Sequence, residues 1–197
     1  AFDHTRTRKP GKIRIGYLSA DFRKHATAYL MAELFERHDR LRFEIFAYSY
    51  GFDDGSDIRQ RLVKSFDHFT DFYSTSRTES AQRIYDDQID VLVDLKGYTG
   101  DTRTEILINR PAPIQVNYVG YPGTMGADFI DYIIADSFVA PAEHQPFFDE
   151  KIIHLPNAYQ PNDTKRQISE RVIMRHECKL PEQGFVFCSF NGAYKIT

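Results

Sequence analysis

The feature that most constrains this chain is a regular alternation of short apolar runs with segments whose apolar residues recur at helical spacing. Residues 12–19 (KIRIGYLS), 43–50 (FEIFAYSY), 68–73, 89–95 (IDVLVDL), 114–119, 132–135 and 151–155 read as strands. Between them, residues 27–38, 57–66, 78–88 and 101–109 read as helices, with Leu30, Met31, Leu34 and Phe35 giving the first its apolar stripe. The breakers fall between these runs, at Gly51–Gly55 and at Arg110-Pro111-Ala112-Pro113. Strands separated by helices close as right-handed crossovers. The alternation therefore predicts a Rossmann-like, doubly wound, mainly parallel α/β sheet with helices on both faces, and IDVLVDL has the continuous apolar character of a central parallel strand.

The flanks read differently. Residues 1–11 are basic and polar, end in Pro10-Gly11, and read as a linker; residues 12–180 form the lobe itself. After a polar stretch, GFVFCSF (184–190) reads as one more strand, so residues 181–197 are expected to begin a second α/β lobe that is cut short.

The 197 residues suffice for one good core. A balance of 25 basic and 28 acidic residues, net charge -3, offers no electrostatic footing for nucleic acid or an anionic membrane surface. No apolar run approaches the roughly 20 residues that cross a bilayer. Cys178 and Cys188 lack metal-ligand spacing, which fits a reducing, cytoplasmic compartment. The seven histidines form no HExxH, and no GxSxG is present, so metal hydrolysis and serine acyl transfer lose support. No bound metal or cofactor is expected.

In open parallel sheets, ligands bind beyond the carboxyl ends of the strands, which directs attention to the turns that follow them. The first turn, residues 19–27, carries Asp21 and His25 four residues apart at the start of a helix. They are general-base materials; equally, Asp21 or Thr27 caps the helix and His25 is a solvent-exposed loop residue. Gly97, Tyr98 and Thr99 offer a hydroxyl and exposed amides to a sugar, or merely close a βα unit. Gly120, Tyr121, Pro122, Gly123 and Thr124, followed by Gly126, set three glycines around a proline and let backbone come close to something. Tyr194 and Lys195 follow the last apolar run, with the lysine where a phosphate would be met, though alone it is an ordinary solvated side chain. No GxGxxG follows the first strand, as a dinucleotide site would require.

Read together, RIGYLSADF (14–22), His25, GYT (97–99), RPAPIQ (110–115), GYPGT (120–124), and the FN and YK pairs near the end resemble one family, in order along the chain. That family is the catalytic region of the O-linked N-acetylglucosamine transferases and their SPINDLY-type relatives. The resemblance implies the N-terminal lobe of a GT-B glycosyltransferase and inverting transfer of a sugar from a nucleotide donor to serine or threonine hydroxyls of proteins. No metal or cofactor is implied beyond the donor, UDP-GlcNAc. It places Asp21 and His25 in the active site, Thr27 beside the donor, Gly120 to Thr124 along the sugar pocket and Lys195 at the donor diphosphate, and it makes Gly97, Tyr98, Thr99 and Tyr194, in the matched motifs, substrate-binding. It also implies tetratricopeptide repeats upstream and a second lobe downstream, without which this chain alone is expected to be inactive. Two departures, Ala26 where the family often has proline and Gly192 where it often has glutamine, leave GDP-fucose open as the donor. The competing readings are a non-catalytic Rossmann-like protein-interaction module and a sugar-nucleotide epimerase. RPAPIQ and GYPGT weigh against the epimerase.

Overall fold

The computed structural model describes residues 2–5, 11–190 and 192. The chain divides into two compact units, Ala1–Thr164 and Lys165–Thr197.

In the first unit the strands are β1 (Ile13–Ser19), β2 (Phe43–Ser49), β3 (His68–Asp71), β4 (Val91–Asp94), β5 (Ile114–Tyr118), β6 (Tyr132–Asp136) and β7 (Lys151–Leu155). They form one sheet in the order β3-β2-β1-β4-β5-β6-β7, and every adjacent pair is parallel. The chain winds outward from β1 to β3, then crosses back over β1 to β4 and winds the other way. The point of reversal lies between β1 and β4, which pair in register from Ile15 with Val91 to Leu18 with Asp94. Between strands whose connections leave in opposite directions a crevice opens at the carboxyl ends.

The period-two alternation of strand residues builds two cores. One face carries Tyr17, Ile45, Ala47, Val93 and Val116 beneath Met31 and Phe35 of α1 (Ala26–Glu36) and Leu62 of α2 (Asp57–Ser65). The opposite face carries Leu18, Phe46, Tyr48 and Leu92 beneath Ala81 and Ile84 of α3 (Arg77–Asp86), with Ile106, Leu107 and Ile130 from loops. Each buried Leu, Ile or Phe contributes about 1.5–3 kcal/mol, so the switch point stands on two dry supports. Helix α3 starts in a reciprocal cap, Ser76 accepting from Glu79 N–H while the Glu79 carboxylate accepts from Ser76 N–H.

Two expectations are corrected. Residues 101–109 form no helix beyond a single 3-10 turn, Thr104–Ile106. Asp101 and Arg110 take positive φ of 60° and 50° at its flanks, and Pro111 and Pro113 deny further helical hydrogen bonds. Residues 184–190 form no strand: Phe185, Phe187 and Phe190 are 83%, 90% and 97% exposed. A strand is held by its ladder, and none pairs with this run among the described residues.

After β7 the chain turns back to the α1/α2 face. Asp136 accepts from Tyr159 N–H, Arg61 bridges Glu36 and Asp163 at 2.7 and 2.5 Å, and Glu33 accepts from both Thr164 N–H and its hydroxyl. These bonds, with those from Arg37, hold the Glu33 carboxyl down at about 2, Thr164 contributing most.

Candidate functional site

The site is built from the chain segments that leave β1 and β4. Past β1, Asp21 N–H donates to Ser19 Oγ at 2.9 Å, a side-chain turn that swings the Asp21 carboxylate back over the strand ends. Past β4, the Asp94 carboxylate accepts the amides of Lys96 and Gly97 at 3.1 and 3.0 Å, and Gly97 takes φ +52° to complete the curl. The two turns point their side chains at one another. Lys96 Nζ meets Asp21 Oδ2 at 2.8 Å, with only 6% and 3% of the two side chains exposed.

A buried pair like this costs several kcal/mol per ion to desolvate and is rarely kept for stability alone. Around it the environment is more polar than stable. Burial pushes the Asp94 carboxyl up to about 6, against the pull of the two amides and the Lys96 charge. Tyr50, buried beside both carboxylates, has its hydroxyl driven far above its ordinary value, first by burial and then by the negative charges of Asp94 and Asp21. Asp21 Oδ1 is buried without a hydrogen-bond partner among the described residues. That atom is a buried acceptor left without a donor.

His25 stands at the rim of the same group. Its backbone is extended, φ −147° and ψ 154°, and its Nδ1 accepts from Thr27 N–H at 3.2 Å, so the imidazole itself caps α1. Neither Asp21 nor Thr27 is the cap, contrary to the capping alternative drawn from sequence; the imidazole holds Thr27 N–H, and the Asp21 carboxylate is turned to Lys96. Nδ1 also lies 3.4 Å from Asp21 Oδ2, and the ring is 40% exposed. Thr27 is buried in the first turn, which carries no acidic residue to offset the positive end of the helix dipole. Beneath the turn, buried Arg59 donates to Phe22 O at 3.0 Å and Ser49 Oγ at 2.6 Å.

The adjoining turns are interlocked by glycines. A Cβ on Gly120 would sit 2.2 Å from Leu95 O, and one on Gly97 would sit 2.5 Å from Tyr121 Cβ, so the β4 and β5 turns touch backbone to backbone. Thr99 is folded onto its own turn, its hydroxyl donating to Lys96 O at 2.8 Å. Tyr98 is half exposed, donates to Met125 O at 2.8 Å and meets Tyr121 edge to face at 5.7 Å. Asn117 Nδ2 donates to Tyr121 O at 2.9 Å and Gly123 O at 3.3 Å, and Pro122 is exposed between them. The Thr124 hydroxyl donates to Glu150 at 2.7 Å, and so braces the turn.

Asp21, His25 and Thr27 thus form one group, joined through Lys96 to Gly97, Tyr98, Thr99, Gly120, Tyr121 and Gly123. Tyr194 and Lys195 lie outside the described residues. Sequence reasoning did not single out Lys96, Asp94, Tyr50, Asn117 or Glu150. The usable signal was Lys96 itself, a cation directly after the apolar run VLVDL and before a glycine. Among the described residues no three His, Cys, Asp or Glu side chains are grouped as metal ligands, and no helix is long and apolar enough to cross a membrane.

Similarity to known proteins agrees with this geometry. The chain is 40% identical over 190 residues to a probable UDP-N-acetylglucosamine–peptide N-acetylglucosaminyltransferase, SEC, of Arabidopsis thaliana, covering 94% of this chain and 19% of that protein. It is 38% identical over 168 residues to the corresponding transferase of Caenorhabditis elegans, covering 83% and 15%, and 31% identical over 194 residues to SPINDLY of Arabidopsis thaliana, covering 94% and 20%. A solved variant of the Thermobaculum terrenum O-GlcNAc transferase superposes with a TM-score of 0.73 at 30% identity, over 77% of this chain and 29% of that one. This chain therefore spans about a fifth or less of the curated relatives' length. Residues 1–176 match the description "Glycosyl transferase family 41", and the chain belongs to that family.

Proposed function

We propose that this chain is the first lobe of a two-lobed GT-B glycosyltransferase that moves N-acetylglucosamine from UDP-GlcNAc onto serine or threonine hydroxyls of proteins, with inversion. The reading rests on one observation. Residues that match a named UDP-N-acetylglucosamine–peptide transferase at 40% identity also bring a carboxylate, an imidazole and an ammonium together at the switch point of the sheet.

The chemistry asks for three things, and the chain offers a group for each. An alcohol is a poor nucleophile at neutral pH, and a positioned proton acceptor accelerates its attack by about 10²- to 10⁴-fold. Asp21 and His25 are the polar groups at the reacting centre, and one of them meets this need. A departing nucleoside diphosphate needs positive charge: the first turn of α1, which carries no acidic residue, offers it without a metal or other cofactor, and Lys195 is the lysine that the family resemblance assigns to the same task. The sugar needs a close-fitting wall, for which the Gly97–Thr99 and Gly120–Thr124 turns offer the half-exposed Tyr98 set edge to face against Tyr121 and the exposed Pro122.

In this reading a second lobe of the full-length protein closes the crevice, and tetratricopeptide repeats upstream recruit protein acceptors in a cytoplasmic enzyme. Without the second lobe, this chain does not turn over donor. The test is to incubate the full-length protein with UDP-GlcNAc or GDP-fucose and a mixed peptide library, then read mass shifts on serine and threonine. N-acetylhexosamine transfer from UDP-GlcNAc is expected. Transfer of fucose alone would correct the donor, and no transfer from either would favour a non-catalytic interaction module.

A further inference from the structure

Three groups meet at Nδ1 of His25, and their distances assign its proton. Thr27 N–H points at Nδ1 from 3.2 Å and needs a lone pair there. Asp21 Oδ2, at 3.4 Å, would need a hydrogen there instead, but it stands beyond the roughly 2.7–2.9 Å of a charge-assisted bond. That oxygen is already held at 2.8 Å by Lys96 Nζ. A neutral imidazole nitrogen either donates or accepts, so Nδ1 accepts and the ring proton sits on Nε2. With no ammonium beside it, a buried carboxylate so near an imidazole would draw the proton to Nδ1, as carboxylates oriented toward histidines ordinarily do.

We infer that Lys96 is a positioning residue: by holding Asp21 Oδ2 it leaves Nδ1 of His25 to cap α1, and so fixes His25 as the Nε2–H tautomer. His25 then enters the crevice as a hydrogen-bond donor, aimed at an oxygen of the sugar nucleotide, and not as the base. Its Nε2 has no protein partner among the described residues, and the ring is partly open to solvent, as a ligand-facing donor requires. The task of accepting the acceptor's proton falls to another group, and the buried Oδ1 of Asp21 is an acceptor beside His25 that has no donor of its own among the described residues. Only the identity of the ligand oxygen depends on the glycosyltransferase reading.

The test reads the tautomer without turnover. In the full chain labelled with ¹⁵N-histidine, the His25 signals, assigned by their loss in His25→Gln, should show a protonated Nε2 and an unprotonated Nδ1. Lys96→Met should move the proton to Nδ1, and Lys96→Arg, which keeps the cation, should leave it on Nε2. Wild-type protein with the proton on Nδ1 overturns the inference whether or not the methionine variant folds, and so does a folded Lys96→Met with the proton still on Nε2. In the full-length protein, Lys96→Met should lower kcat about 10- to 100-fold with donor KM little changed, and Lys96→Arg should restore most of it. A moved proton with kcat unchanged would remove the tautomer from the chemistry. A wild-type protein that transfers no sugar would sink the functional reading and leave the tautomer assignment standing.

Discussion

The two ends of the sheet carry similar charged residues and use them in opposite ways. At the amino end, Arg14 meets Glu44 at 2.8 Å, Glu44 meets His68 at 2.8 Å, and Asp87 accepts from Tyr48 and Arg83 at 2.9 and 3.2 Å. These pairs are partly exposed and mutually matched, the kind of contact that contributes about 0–1 kcal/mol each. At the carboxyl end the Lys96–Asp21 pair is dry, Asp94 is pushed toward neutrality, and Oδ1 of Asp21 is left open. An ion pair held dry beside an unpartnered carboxylate oxygen is costly to keep and marks the working end of a fold. At the amino end Arg40 Nη1 and Gln115 Oε1 are also buried without partners among the described residues, but the ion pairs named there are partly exposed and do structural work.

The largest effect expected from this contrast is at the interlocked turns. Gly120→Ala should destabilise by about 3 kcal/mol, because its Cβ would meet Leu95 O, which is backbone and cannot swing aside. Gly55→Ala meets nothing within 4 Å and carries only the strain of φ +64°, about 1 kcal/mol. Denaturant midpoints of the two variants would check the ranking, and equal costs would show that the β4 and β5 turns are not packed as described.

A second, smaller effect separates the ends by pH. Helix α1 runs back toward the amino end, where burial holds His38 down at about 4 against its ordinary 6.5 while Nε2 pairs with the Tyr17 hydroxyl. Between those values the unfolded chain binds the proton and the folded chain does not, so His38 makes stability rise with pH from about 4 to 6.5. Asp94 acts with the opposite sign. Its folded carboxyl titrates at about 6 against 3.8, so its contribution falls as pH climbs between them. His38→Gln should therefore tilt the stability profile downward across this window, and Asp94→Asn should tilt it upward. Urea melts at a series of pH values would show it, and parallel profiles for all three proteins would contradict the assignment.

The smallest effect is at the paired amino end. Arg14→Ala should shift stability by about 1 kcal/mol or less, and less still in high salt. A loss of several kcal/mol would mean that this end, too, holds a critical buried charge.

Much of this arrangement was legible because apolar periodicity reports local geometry directly. The seven strands and three long helices fall where the runs 12–19, 27–38 and 89–95 and their fellows place them, and the Asp21, Gly97 and Gly120 turns share one edge as a parallel sheet requires. What escaped was set by contacts distant in sequence. Nothing in KGYTG announces that Lys96 reaches Asp21, 75 residues away, or that Gly51 is needed because Ala20 O lies 1.9 Å from where a Cβ would be. Helical spacing at 101–109 was overridden by two prolines and two positive φ angles, and the apolar pattern of 184–190 found no ladder to join. His25 was read as base or bystander, whereas its imidazole also caps the helix, a role that histidine rarely advertises in sequence.

The most direct measurement is glycosyl transfer by full-length protein carrying one carboxylate-to-amide change at each end of the sheet, Asp21→Asn and Glu44→Gln, with circular dichroism confirming that both fold. Removing the Asp21 charge should lower kcat by about 10²- to 10⁴-fold, while Glu44→Gln should leave it unchanged. If Asp21→Asn turns over like wild type, or if both variants fall together, the switch-point crevice is not where the sugar is transferred.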